Sequence, residues 1–182
     1  MKILALDLGT KTGYATVIPG DHKVGTWELV SDKTVKASRS MRWDRRLDLR
    51  AAALWRNLMG INGWAGGLDW ILFEDVRFGK SLAQVQLWSS FRGIVWAFAE
   101  QHGLKIDCLE TGKLKIHATG SGAADKPAMA RALVARWPDQ YSLEKGLVKR
   151  RKCGTLLDDN AVDALWLLAW GHKILNHHEP TF

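Results

Sequence analysis

The chain has 182 residues, 47% of them hydrophobic and only four prolines, which excludes extended disorder and fits one globular domain over 1–182 that buries roughly two-thirds of its unfolded surface. A formal net charge of +7 favours a polyanionic partner, nucleic acid first among them. The two cysteines, Cys108 and Cys153, have neither CxxC spacing nor zinc-style neighbours, so neither a disulfide framework nor a metal knuckle is expected.

No apolar run approaches the roughly 18 residues of a membrane span, and Met1-Lys2 leads straight into a strand with no cleavable leader. A cytoplasmic protein with no membrane partner is therefore expected. The ten tryptophans are expected to be mostly core residues.

Ile3 to Leu6 is a short apolar run ending at Gly9, which predicts a central strand buried on both faces. TGYATVI and KVGTWELV follow, separated by the turn cluster Pro19-Gly20-Asp21, so three consecutive strands in an antiparallel meander are expected. Trp43, Leu47, Leu54 and Leu58 recur at helical spacing over Ser38 to Met59, with Arg42, Arg45, Arg46 and Arg50 as a basic face. Asn62 to Gly67 should break that helix. WILFEDV, residues 70–76, is then a buried strand with Glu74 near its end.

Leu82, Val85, Leu87, Phe91, Val95 and Phe98 predict a long helix over Ser81 to His102, stopped by Gly103. KIDCLE is a further strand. GKLKIHATGSGAADKP reads as a glycine-rich basic loop opening with a short helical turn, and Pro127 to Trp137 as a helix with proline in its first turn. The basic run Lys149-Arg150-Arg151-Lys152 lies between helices, on its plainest reading a solvated loop. A last helix covers Asp158 to about Ile174. This order predicts an α/β or α+β domain, a mixed sheet covered by helices.

Three acidic residues interrupt apolar elements near their ends: Asp7, Glu74 and Asp163. Burying a carboxylate among Ile3, Leu4, Ala5, Leu6 and Leu8 is costly unless a cation or hydrogen bond compensates it. Asp159 and Asp163 are i and i+4 on one helical face, continued by Trp166 and Trp170. If the two strand ends lie beside this helix, their carboxylates form an oxygen-rich pocket of the kind Mg²⁺ or Mn²⁺ prefers. Two such ions about 4 Å apart can activate water and stabilise the leaving oxygen in phosphodiester hydrolysis. Each acid also has a structural reading: Asp7 could organise the turn before Gly9, Asp158, Asp159 and Asn160 are good helix caps, and Glu74 could pair with Arg77 or Lys80. The histidines show no ligand spacing.

ILALDLGTKTGYA, FEDV, GKLKIHATGSGAADK and DDNAVDALWLL, in that order over roughly residues 3–168, resemble the RuvC-type Holliday junction resolvases of the ribonuclease H-like nuclease superfamily. The resemblance implies a ribonuclease H-like α/β fold with a five-stranded mixed sheet flanked by helices. It also implies two Mg²⁺ ions (or Mn²⁺) in an acidic site, and a homodimer that cuts opposed strands of a four-way DNA junction. The family's first acid falls on Asp7, its second on Glu74 and its last on Asp163. Many relatives carry an acid or histidine three residues before the last aspartate, which here is Asn160. Asp159 stands four before, and both positions are within reach of the helical face that carries Asp163, so Asp159 is expected as the fourth ligand and Asn160 as a weaker neutral one. Lys115 and Lys126 match the family's DNA-contacting lysines. Lys113 adds charge, and Gly120 and Gly122 let backbone amides approach phosphate. Arg77 and Phe78 occupy the place of a loop whose aromatic wedges into bases.

DLGTKTG also resembles the phosphate turn of actin-like and sugar-kinase ATPases, but those need two such domains and this chain has room for one. YqgF-type nucleases acting on structured RNA share the D-x-G-x-K turn, and a non-catalytic binder of branched DNA is a third reading. FEDV and DDNAVDAL favour the resolvase pattern. The expected activity is a Mg²⁺-dependent structure-selective endonuclease with no organic cofactor, in a bacterial or bacteriophage-infected cell.

Overall fold

The computed structural model describes residues 1–18, 21–31, 33–34, 49–76 and 81–178, with side chains described to residue 175. β1 (Ile3–Asp7) pairs antiparallel with β2 (Lys11–Ile18), which pairs antiparallel with β3 (Asp21–Glu28), the expected meander. After α1 (Leu49–Trp64) comes β4 (Trp70–Asp75), parallel to β1, and after α2 (Leu82–His102) comes β5 (Lys105–Glu110), parallel to β4. The result is a five-stranded mixed sheet in the order β3-β2-β1-β4-β5. The chain continues through α3 (Thr111–Thr119) and α4 (Lys126–Arg136) and ends with α5 (Asp159–His178).

The strand period of two divides the core between the sheet's faces. Ile3 and Ala5 of β1, with Trp70 and Leu72 of β4, pack under α3, α4 and α5 against Leu114, Leu133 and Leu167. Leu4, Leu6, Ile71 and Phe73 point the other way, into α1 and α2 against Leu54, Leu58, Phe91 and Phe98. This two-sided burial explains the unbroken apolar run of β1, every residue of which from Ile3 to Leu6 is fully buried.

Helix ends follow local chemistry. Ser81 caps α2 by accepting a hydrogen bond from the Gln84 amide, and Gly103 (φ 64°) closes it in the left-handed conformation. Asp125 caps α4 through the Ala128 amide at 2.8 Å. Of the helix expected over Ser38 to Met59, residues 38–48 lie outside the described part. The remainder runs on through Asn62 and Gly63 to Trp64, because the turn comes only at Gly66 and Gly67, both at positive φ.

Two expectations are corrected. The segment after β5 is a nine-residue helix, α3, anchored by buried Leu114 and ended by Gly120 (φ 81°); the loop is confined to residues 120–125. The basic run is not a plain loop. Lys149 and Arg150 end a strand in a second, three-stranded antiparallel sheet made of β6 (Tyr141–Glu144), β7 (Leu147–Arg150) and β8 (Leu156–Leu157). Lys145 (φ 50°) and Gly146 (φ 83°) form its two-residue turn, a hairpin geometry that usually announces itself as Asn-Gly. Among the nine described tryptophans only Trp70 and Trp166 are fully buried, and most others are half-buried at the edges of the core, as suits a side chain of that size.

α5 lies unusually close to the sheet. A Cβ at Gly13 of β2 would sit 1.9 Å from the Asn160 carbonyl oxygen, and one at Gly171 would sit 2.3 Å from Leu72 Cδ1. Gly13→Ala is therefore expected to cost roughly 3 kcal/mol or more, since a backbone carbonyl cannot rotate away as a side chain can. Urea unfolding measures this; an unchanged midpoint would contradict the tight seating of α5. Among the described residues no helix is long and apolar enough to cross a membrane.

Candidate metal centre

Strand parity brings the acids together. Asp7 continues the Ile3, Ala5 face of β1, and Glu74 continues the Trp70, Leu72 face of β4, so both point toward α5. The β1–β4 register pairs Leu6 with Phe73, and its next step sets Asp7 beside Glu74. α5 crosses above them with Asp163 in its second turn. One carboxylate oxygen from each of Asp7, Glu74 and Asp163 lies within 4.8 Å of the other two.

These groups are costly together. Burial pushes the Asp7 carboxyl well above its usual range, the charges of Glu74 and Asp163 push it further, and a hydrogen bond to Glu74 holds its proton. Asp163 is pushed up to about 7, first by burial, then by Glu74, with Lys126 and Lys115 opposing and Asp159 adding to the rise. Glu74 is only 7% exposed. Among the described residues, three close carboxylates with little solvent form an oxygen-only donor set, which suits a hard divalent ion such as Mg²⁺ or Mn²⁺.

Of the four acids assigned to the site, Asp159 stands apart. Its Oδ2 accepts from Lys126 Nζ at 2.9 Å, a partly exposed ion pair that also raises the lysine's pKa. Asp158 serves as the helix cap: its Oδ1 accepts from the Ala161 amide at 3.0 Å and from the Thr26 hydroxyl. Asn160 Nδ2 contacts Asp158 Oδ2 at 3.4 Å, and its carbonyl abuts Gly13. The capping alternative thus falls on Asp158, leaving Asp159 free of that duty. The turn alternative for Asp7 is met by Thr12, whose buried hydroxyl donates to the Gly9 carbonyl at 2.7 Å.

Of the lysines, Lys115 is half-buried and, with Lys126, acts on Asp163 through its charge. Lys113 points to Glu110 at 3.2 Å. Arg77 and Phe78, and Lys80 with them, lie outside the described residues. Sequence reasoning passed over Asp75, the neighbour of Glu74, which is just as buried but faces the opposite side of the sheet, toward α2. There Arg92 Nη1 meets it at 3.1 Å, so this second acid of FEDV has a cation of its own. The alternation of β4 could have separated the two acids; the partner on α2 could not have been found from spacing.

No protein-family model matches this chain, and no curated protein matches it significantly. Solved structures do. RuvC of Thermus thermophilus aligns over 96% of this chain and 96% of its own at 14% identity, with a TM-score of 0.60. T. thermophilus RuvC in complex with a Holliday junction substrate aligns over the same shares at 13% identity and a TM-score of 0.64. The yeast mitochondrial Holliday junction resolvase aligns over 97% of this chain and 80% of its own at 13% identity, with a TM-score of 0.53. At these identities the likeness is one of fold: the chain has the ribonuclease H-like fold that these resolvases share.

Proposed function

We propose that this chain is a divalent-metal-dependent endonuclease that hydrolyses phosphodiester bonds in four-way DNA junctions, acting as a single nuclease domain over residues 1–182. The observation that carries this reading is the convergence of Asp7, Glu74 and Asp163, two strand ends and a helix face, into one buried oxygen cluster. The net charge of +7 and the fold of proteins named for Holliday junctions support the choice of substrate.

Asp7, Glu74 and Asp163 would hold Mg²⁺, with Asp159 as the fourth donor and Asn160 as the neutral alternative. Bound there, two Mg²⁺ ions would supply the activation of water and the stabilisation of the leaving oxygen. The rest falls to the chain. Among the described residues no histidine or cysteine joins the cluster. Lys115 and Lys126, whose charges reach Asp163, would meet a phosphate approaching the acids. If Asp159 turns to the metal it must leave Lys126, and the freed ammonium becomes available to the DNA backbone.

Asp159→Asn is expected to abolish Mg²⁺-dependent cleavage while junction binding persists, as read by a gel cleavage assay beside a mobility shift in EDTA. Full turnover in that variant would move the ligand role to Asn160 or Asp158. The function itself is tested on a synthetic four-way junction, a matched linear duplex and a structured RNA, each with Mg²⁺ or EDTA. Symmetric nicks on the junction alone support the proposal. Cleavage of the RNA alone points to a YqgF-like activity, and tight binding without cleavage to a non-catalytic DNA-binding protein.

Paired incisions require two copies. The exposed Leu82, Val85 and Trp96 of α2 offer an apolar surface for self-association. Equilibrium sedimentation is expected to show a dimer that Trp96→Glu weakens; a monomer at all concentrations, with and without junction DNA, would argue against a homodimer.

A further inference from the structure

A groove of about 1160 Å³ runs between α3, α4 and α5, beginning one turn beyond Asp163. Its floor is open because small residues line it: Ala128, Ala132 and Ala135 recur on one face of α4 and meet Ala169 of α5. Arg131 and Arg136 of α4 and Lys173 of α5 stand at its walls, and among the described residues no acid lines it. All three cations are exposed, and none has an ion pair among the described residues. Half-buried Trp137 leans on buried Trp166 at 5.2 Å, giving the groove an aromatic wall.

The groove continues the metal centre. α4 and α5 run side by side in one direction: Lys126 meets Asp159 at their start, the Trp166 indole donates to the Met129 carbonyl at 3.2 Å further on, and Arg136 and Lys173 both act on His117 at the far end. The charges of those two cations, after burial, hold His117 below its usual pKa, so they reach the same place. From Asp163 to Lys173 is ten residues, about 15 Å of helix axis, or about four to five nucleotides of a DNA strand at 3.4 Å each.

We infer that this groove is a second nucleic-acid contact, in which Arg131, Arg136 and Lys173 hold backbone phosphates, those at Arg136 and Lys173 about four to five nucleotides from the bond that is cut. The inference rests on the proposal that the substrate is nucleic acid. Its occupant is a continuous strand, because Arg131 stands between the acidic centre and the pair Arg136 and Lys173, so the cations are spread along the groove.

The test is binding of a fluorescent four-way junction in EDTA, by anisotropy, at several salt concentrations. The triple variant Arg131→Ala/Arg136→Ala/Lys173→Ala should bind at least about ten-fold more weakly, and the slope of log K against log salt should shrink by about 2 to 3, near 0.9 per lost phosphate contact. Arg131→Lys/Arg136→Lys, which keeps the charges, should retain the slope. A block of uncharged methylphosphonate linkages, moved along one arm, should weaken the unsubstituted chain at one register and leave the triple variant indifferent there. An unchanged slope in the triple variant would overturn the inference. So would competition by adenosine monophosphate that depends on the three cations while the junction slope stays fixed, since the groove would then be a mononucleotide pocket. Because no turnover is read, a chain that binds through the groove but never cuts refutes the nuclease proposal alone. A chain that cuts with an unaltered slope in the variant refutes the groove alone.

Discussion

Asp7→Asn is expected to lower Mg²⁺-dependent junction cleavage by at least about a thousand-fold, about 4 kcal/mol of transition-state stabilisation, while making the metal-free protein more stable. The two effects share a cause. Asp7 is held among Glu74 and Asp163 at the end of the central strand, where burial and like charge disfavour its ionised form. Asparagine keeps the shape and can still hydrogen-bond to Glu74, but it cannot supply an anionic oxygen to a divalent ion. A group that only supported the fold would behave differently, since its loss would lower stability and activity together. Thermal unfolding in EDTA and in Mg²⁺ reads the distinction: the unsubstituted chain should gain stability from Mg²⁺, and the variant should begin higher and gain little. A variant that is less stable in EDTA, or that keeps the Mg²⁺ response, would remove Asp7 from the metal centre.

Much of this site is legible in the sequence because it is written in strand parity. Asp7 and Glu74 each end a run whose alternate residues must be buried, so the face each carboxylate takes follows from its neighbours. Asp163 lies past the cap among apolar residues, which argues against a place in plain solvent. The capping residue was harder to assign, because Asp158, Asp159 and Asn160 are chemically equivalent candidates; the choice of Asp158 depends on Thr26, 132 positions away in the chain. The Lys126–Asp159 pair has the same origin in two elements brought together by folding. α3 reads in the sequence as no more than a short helical turn because Gly112 and Gly120 mimic a loop, although the second of them is the residue that ends the helix. The small sheet was missed because Lys145 takes a left-handed turn position that asparagine usually holds, and because charge dominates the run that follows. The groove was invisible for a related reason: its three cations are unremarkable singly and become a row only when α4 and α5 lie side by side.

The pH dependence of the metal-free protein should carry the signature of the same cluster. Asp163 titrates near 4 in an unfolded chain and is raised to about 7 in the fold, so the native state binds its proton more tightly. Its contribution is therefore full below pH 4 and lost as pH rises through about 7, a fall of about 4 kcal/mol at 1.36 kcal/mol per pKa unit. Asp7 acts in the same direction. Three histidines oppose it: His22, His117 and His172 are each held below their usual pKa, chiefly by burial, and so favour the fold as pH rises toward 6.5. The difference between the unsubstituted chain and Asp163→Asn removes that background. In EDTA the variant should gain relative stability steadily from pH 5 to about pH 7 and little beyond, measured by chemical unfolding at each pH. In saturating Mg²⁺ the order should reverse above pH 7, because the ionised carboxylate then has a partner that asparagine cannot hold. A pH-independent difference would mean that Asp163 titrates as an ordinary surface carboxylate, and the reason to place a cation among these three acids would be lost.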